Sequence, residues 1–173
     1  LSSLTDDTAR NALVGALSRI QAIVEIQRII EHGDLDSAID IGEIIGSICE
    51  NLDHISRAHV AHSTDRIEIG ENLITPLALI VSELVTNAQK HAYGPEEGGI
   101  IAVTARRKGN GFELSVRDDG RGIVEDFDPR AVKGFGMKML MHEIDHLGAT
   151  LRIERLDKGT AFIVDIPTRG EVD

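Results

Sequence analysis

The chain has 173 residues, 42% of them hydrophobic, with 29 Asp or Glu against 18 Lys or Arg and a formal net charge of −11. Enough Ile, Val and Leu are present to build a core, so wholesale disorder is excluded and one domain, or one domain with an appendage, is expected. No stretch approaches the ~20 apolar residues of a membrane span, and no charged-then-apolar leader opens the chain. The acidic balance argues against a nucleic-acid partner, since Arg106, Arg107 and Lys108 form the one short basic run. A lone Cys49 forbids an internal disulfide and fits a reducing, cytoplasmic compartment.

From Asp6 to His32 the chain has no Pro and only Gly15, and apolar residues recur at Leu13, Leu17, Ile20, Ile23, Val24, Ile26 and Ile30. That period predicts a helix of about 27 residues, roughly 40 Å long, capped by Thr5, favoured by Asp6 and Asp7 and ended by Gly33. Its apolar face needs a partner, either a second copy of the chain or a further helix. Ile41 to Asn51 reads as a shorter helix, and the stretch from Val60 to Ile69 as paired strands around Asp65. A second long helix follows from Asn72 to Ala92, closed by Gly94 and Pro95.

Ile100 to Arg107 and Phe112 to Arg117 alternate around Lys108, Gly109 and Asn110, which is a hairpin signal. A Gly- and Asp-rich stretch then leads to a helix from Gly136 to Leu147, and strands at Thr150 to Leu156 and Thr160 to Ile166 complete the pattern. The tail after Pro167 reads as frayed. Helices with a largely antiparallel sheet predict an α/β (α+β) two-layer sandwich. The compositional shift near residues 51–60 divides the chain into a helical part, 1–57, and a second part, 58–173.

Four places carry chemistry. On the Asn72 to Ala92 helix, Glu83, Asn87 and Lys90 stand at i, i+4 and i+7, opposite Leu77, Val81, Leu84 and Ala88. A carboxylate one turn from a carboxamide can put a general base beside a Mg²⁺ ligand, the alternative being a solvated polar stripe. Strand parity sends Asp118 inward and Asp119 outward; an inward carboxylate needs donors such as the exocyclic amine of adenine, while the alternative is an ordinary Asp-Gly turn. Gly120 and Gly122 then let backbone pass close to a ligand. Gly134, Phe135 and Gly136 lead into a helix start, where free amides bind phosphate or a plain loop simply ends. Thr160 shares parity with Phe162, Val164 and Ile166, so it can join Asp118 at an adenine edge if their strands are neighbours, or merely begin a strand.

Taken in order, SELVTNAQKHAY (82–93), DDGRGI (118–123), GFGMKML (134–140) and KGTAF (158–162) resemble the N, G1, G2 and G3 boxes of the Bergerat ATP-binding fold. That superfamily includes histidine kinases, gyrase, heat-shock chaperones and mismatch-repair ATPases. Glu83 before Asn87, the Lys90–His91 pair and the segment GDLDSAIDIGEII resemble sensor histidine kinases related to the HWE group. The Trp that helps to name that group is absent, which favours its sister subgroup.

The resemblance implies ATP and Mg²⁺ as cofactors. Asn87 would ligate Mg²⁺, Glu83 would assist proton removal or phosphate orientation, and Asp118 would hold adenine. Lys90 and His91 would face the phosphates. Residues 121–136, with Ile123, Gly134, Phe135, Gly136 and the following Met137, would form the lid and its anchor. It further implies a homodimer through the N-terminal helix, an upstream sensor domain and a response-regulator receiver domain as partners. No His here sits in the acceptor context of that family, so the phosphoacceptor is expected on an upstream helix. His32, His54, His59, His62, His142 and His146 are expected in surface or structural roles, although His142 and His146 have i, i+4 metal spacing. The rival readings are an anti-sigma-factor-type serine kinase, which shares the residue 83–93 pattern, and a non-catalytic phosphotransfer or scaffold protein of the same shape.

Overall fold

Alternating apolar residues make the middle of this chain a five-stranded sheet. The computed structural model describes residues 39–94, 97–132 and 134–168, together with Leu13, Ala16, Ile20 and Val24. Those four are helical, with Leu13, Ile20 and Val24 exposed, while the rest of the expected 6–32 helix, its caps and the tail beyond Thr168 lie outside the described residues.

The described elements run β1 (Ile39–Asp40), α1 (Ile41–Ile55), β2 (His59–Thr64), β3 (Glu68–Ile69), α2 (Glu71–His91), β4 (Ile100–Lys108), β5 (Gly111–Asp118), α3 (Phe135–His146), β6 (Thr150–Arg155) and β7 (Thr160–Pro167). The large sheet has the order β2-β4-β5-β7-β6, with β2 parallel to β4 and every other neighbour antiparallel. The predicted hairpin is β4–β5, in register from Lys108–Gly111 to Ile101–Asp118.

The expected pairing around Asp65 does not form. β2 instead joins the large sheet through β4, and β3 pairs with β1 in a separate two-stranded piece. Val60 of β2 is buried, so joining the large sheet removes more apolar surface from water than a short local hairpin would.

Helix α1 begins where the Asp40 carboxylate accepts the Gly42 N–H at 2.7 Å and the Ile41 N–H reaches the Ile67 carbonyl at 2.8 Å. Its apolar stripe, Ile41, Ile44, Ile45, Ile48, Cys49 and Leu52, enters the same core as Ile74, Leu77, Ile80, Val81 and Leu84 of α2. The stretch from Ile39 to Leu52 thus packs into one core with the residues that follow it. The inward strand positions, including Val103, Ala105, Phe112, Leu114, Val116 and Val164, close that core from the sheet side. Burial in this layer raises the Cys49 thiol to about 12, which keeps it protonated and inert.

Candidate functional site

One end of the inner layer stays open. A cavity of about 440 Å³ lies between α2, the ends of β5 and β7, the 122–134 segment and the start of α3, within the size range of small-molecule sites. Glu83, Asn87, Lys90, His91, Asp118, Gly122, Ile123, Gly134, Phe135, Gly136, Met137 and Thr160 all line it. Four motifs spread over some eighty residues of sequence therefore meet on one wall.

Gly120 is the predicted residue that stands off this wall. A Cβ there would run into the backbone carbonyl of Ala92, so the glycine serves close packing of the strand end against the end of α2. Pattern reading gave no individual site role to Ala88, Ala92, Phe127, Val132 and Phe162, although they fall within the quoted boxes and the expected lid; they supply much of the apolar lining. Phe127 meets Phe162 edge-on, with ring centroids 6.4 Å apart at 84°.

On α2, Glu83 is 3% exposed, which overturns the alternative of a solvated stripe. One turn on, the Asn87 amide nitrogen is buried at the cavity without a hydrogen-bond partner among the described residues. A buried amide is normally satisfied, so this one is left with an N–H free to donate to a group in the cavity. His91 is held below the usual imidazole range, first by burial and then by the nearby charges of Lys90 and Arg121, so it is neutral at pH 7. Arg121 donates to the Tyr93 carbonyl at 2.5 Å and ties the entry of the 122–134 segment to the end of α2.

At the strand ends, parity does what the alternation predicts. Asp118 is 6% exposed and faces the cavity, whereas Asp119 turns outward. Burial, helped by the Asp119 charge, pushes the Asp118 carboxyl above its usual range, against N–H donors of Gly120 and Thr160 that favour the carboxylate. The Gly120 N–H reaches Oδ1 at 2.9 Å. β5 and β7 are indeed neighbours, with Arg117 opposite Ala161, so Thr160 comes to Asp118. Gly159 makes that approach possible: its φ is +87°, and any Cβ would collide with the Asp118 carbonyl.

Asp119 holds the frame. Its Oδ1 accepts the Ile100 N–H at 2.8 Å and the Tyr93 hydroxyl at 3.0 Å, and Lys158 approaches Oδ2 at 3.4 Å. These donors, led by Ile100, keep its carboxyl below the usual range, and its contact helps to raise the Tyr93 hydroxyl. Helix α3 starts at Gly134 with no side-chain cap and no acid in its first turn, so the positive end of its dipole opens at the cavity.

Comparison with known proteins agrees with this geometry. Residues 72–170 match the profile of the family described as histidine kinase-, DNA gyrase B-, and HSP90-like ATPase. The chain is 30% identical over 136 residues to blue-light-activated histidine kinase 2 of Erythrobacter litoralis, covering 76% of this chain and 39% of that protein. It is 22% identical over 171 residues to the sensor histidine kinase PdtaS of Mycolicibacterium smegmatis, covering 96% and 32%. The chain thus spans well under half the length of these curated relatives. Among solved structures, the histidine kinase domain of the Erythrobacter litoralis EL346 blue-light-activated histidine kinase superposes with a TM-score of 0.78 at 27% identity, over 88% of this chain and 74% of that one. The catalytic domain of the histidine kinase ThkA shares the fold at a TM-score of 0.61 and 23% identity, over 76% and 95%. The mixed-sheet sandwich is that of histidine kinase catalytic ATP-binding domains, and the chain belongs to the histidine kinase-, DNA gyrase B-, and HSP90-like ATPase family.

Proposed function

We propose that this chain is the ATP-binding catalytic part of a two-component sensor histidine kinase, passing the γ-phosphate of ATP to a histidine for relay to a response-regulator receiver domain. The observation that carries the reading is that one cavity is lined by Asp118 and Thr160 together with Glu83 and the unpartnered Asn87 amide. Adenine fits the Asp118 end, where a carboxylate can accept its exocyclic amine. Phosphates fit the end bounded by α3, Lys90 and His91.

The donors at Asn87 suit Mg²⁺, because a carboxamide oxygen and a carboxylate are hard ligands. Among the described residues no group of three or more His, Cys, Asp or Glu is arranged to hold a metal ion. This chain would therefore hold Mg²⁺ together with nucleotide phosphates, through Asn87 and with Glu83 close by. When bound, the ion would neutralise developing phosphate charge. Glu83 acts on the chemical step, as base or as orienter of the phosphoryl group, and His91 offers a hydrogen bond.

No helix among the described residues is long and apolar enough to cross a membrane. A cytoplasmic location, a homodimer through the apolar face that includes Leu13, Ile20 and Val24, and a sensor domain elsewhere in the protein complete the reading. None of the seven histidines sits in an acceptor-like context, so we expect the acceptor on an upstream helix.

Calorimetry tests the binding step: ADP or ATP should bind in a Mg²⁺-dependent manner, and absence of binding to folded protein would refute it. With γ-labelled ATP this chain should stay unlabelled, while a version extended by an acceptor helix should take up acid-labile phosphate. In that version Glu83→Ala should slow labelling far more than it weakens nucleotide binding, since a base acts mainly in the transition state. Acid-stable label on a serine of a partner protein would favour the serine-kinase alternative instead.

A further inference from the structure

The segment between β5 and α3 is anchored at Asp118 and Phe135, and with its ends alone held its middle could swing freely. Besides a long Arg155–Glu125 ion pair at 3.9 Å, two contacts hold that middle. On the inside, Phe127 and Val132 stand on the cavity wall. On the outside, the Arg130 guanidinium reaches the Asp145 carboxylate near the end of α3, Nη1 to Oδ2 at 3.0 Å and Nη2 to Oδ1 at 2.7 Å. This is a two-pronged Arg–carboxylate pair, the geometry that gives such pairs direction as well as attraction. Asp145 lies about 15 Å along the helix from its start, so the pair folds the segment back over most of α3.

Arg130 is also delivered from a firm base. The Ala131 N–H donates to the Asp128 carbonyl at 3.1 Å, and the Asp128 side chain accepts the Arg130 N–H at 2.8 Å. Pro129 sets the backbone between them. The turn fixes where the side chain starts, and the planar guanidinium fork loses less freedom per hydrogen bond than a flexible amine would.

We propose that Arg130 and Asp145 form a latch that positions the 122–132 segment as the outer wall of the nucleotide cavity. Neither residue lines the cavity, so both act through Phe127 and Val132, which flank Arg130 in sequence. The latch deepens the reading of residues 121–136 as a lid over bound nucleotide and rests on it.

The experiment measures ADP affinity, melting temperature and pulsed hydrogen exchange of residues 122–132 in four proteins: the wild type, Arg130→Asp, Asp145→Arg and the double exchange. Both groups are more than half exposed, at 60% and 56%, so every variant should fold. Each single variant should bind ADP about two- to five-fold more weakly and exchange faster in the lid, at an unchanged melting temperature. The double exchange should restore both. Single variants that match the wild type in lid exchange, or a double exchange that restores neither property, would overturn the latch. If the wild type binds no ADP while its lid exchange still depends on the pair, the latch stands and the nucleotide reading falls. If ADP binds but lid exchange ignores the pair, the reverse holds.

Discussion

The two faces of the five-stranded sheet handle polar groups in opposite ways. On the outer face, Lys108 Nζ lies 2.6 Å from Asp165 and 2.8 Å from Glu113, while Arg152 reaches Glu113 at 3.0 Å and Glu154 at 2.9 Å. These charges answer one another, and their task is finished once the face is solvated. On the inner face, beside a dry layer of Val, Leu and Ile, the Asn87 amide nitrogen has no partner among the described residues and Asp118 is buried with its carboxyl pushed up. Polar groups left unfinished next to a cavity are what a ligand site requires, and groups that finish one another are what a surface requires.

The comparison is broken most severely from the dry side. Leu114 is fully buried between Ala105 and Val164, so Leu114→Ala should destabilise the fold by about 2–5 kcal/mol in denaturant unfolding. A loss under about 1 kcal/mol would mean that this layer is not the core.

Next comes the unfinished side. Asp118→Asn keeps the shape but turns the acceptor proposed for adenine into an amide, and it should weaken ATP binding by about 1.5–3 kcal/mol with little effect on melting. The sign of its pH dependence follows from burial. Because the Asp118 carboxyl is held above its usual range, it protonates earlier than other carboxylates as pH falls, and its part in binding is lost there. Phosphate protonation is common to both proteins, so the affinity difference between wild type and Asp118→Asn should be full at neutral pH and shrink on acidification. A difference that is flat down to pH 4, or a wild type that binds GTP as well as ATP, would remove Asp118 from the adenine.

What could be read from the chain divides along the same line. The β4–β5 hairpin and the opposed directions of Asp118 and Asp119 are local consequences of parity and turn chemistry, and the structure has both. Glu83, Asn87, Asp118 and Thr160 were legible because each lies in a short pattern, and their order along the chain ties them together. The parallel pairing of β2 with β4 was not legible, since it joins segments about forty residues apart with no turn to announce it. Phe127, Val132 and Phe162 lay inside the expected lid and the last box but were not singled out, for another reason: an apolar residue in a loop or strand looks the same whether it fills a core or walls a cavity. Gly120 was assigned to the ligand because glycine permits any close approach, and here the approaching group is the Ala92 carbonyl.

Asp119 sits where the two faces meet and sharpens the contrast. Replacing it with Asn weakens the bonds to Ile100, Tyr93 and Lys158 together, yet the side chain is partly exposed, so a loss of about 1 kcal/mol of stability is expected. Its carboxyl is depressed, chiefly by the Ile100 N–H. The stabilisation is therefore full above the usual carboxylate range and lost as pH falls through the depressed value. Thermal melting between pH 7 and pH 3 should show a shallower acid decline in Asp119→Asn than in the wild type. Parallel curves would assign the effect to other carboxylates.

The smallest effect belongs to the outer face, and it separates charge from cover. Arg152 pairs with acids on β5, β6 and β7, but in register it also stands opposite Ile163, an outward residue that is 8% exposed. Its aliphatic stem can shield that isoleucine while its head satisfies the acids. Arg152→Met retains the stem and removes the charge, so it should lose no more than about 0.5 kcal/mol, and that difference should fade in high salt. Arg152→Ala removes the stem as well and should lose more, about 1 kcal/mol, with a remainder that salt does not erase because uncovered apolar surface is insensitive to screening. ADP affinity should be unchanged in both, since no atom of this network reaches the cavity. Equal losses in Met and Ala would assign the whole contribution to charge, and a change in ADP affinity in either would show that the two faces are coupled through the sheet.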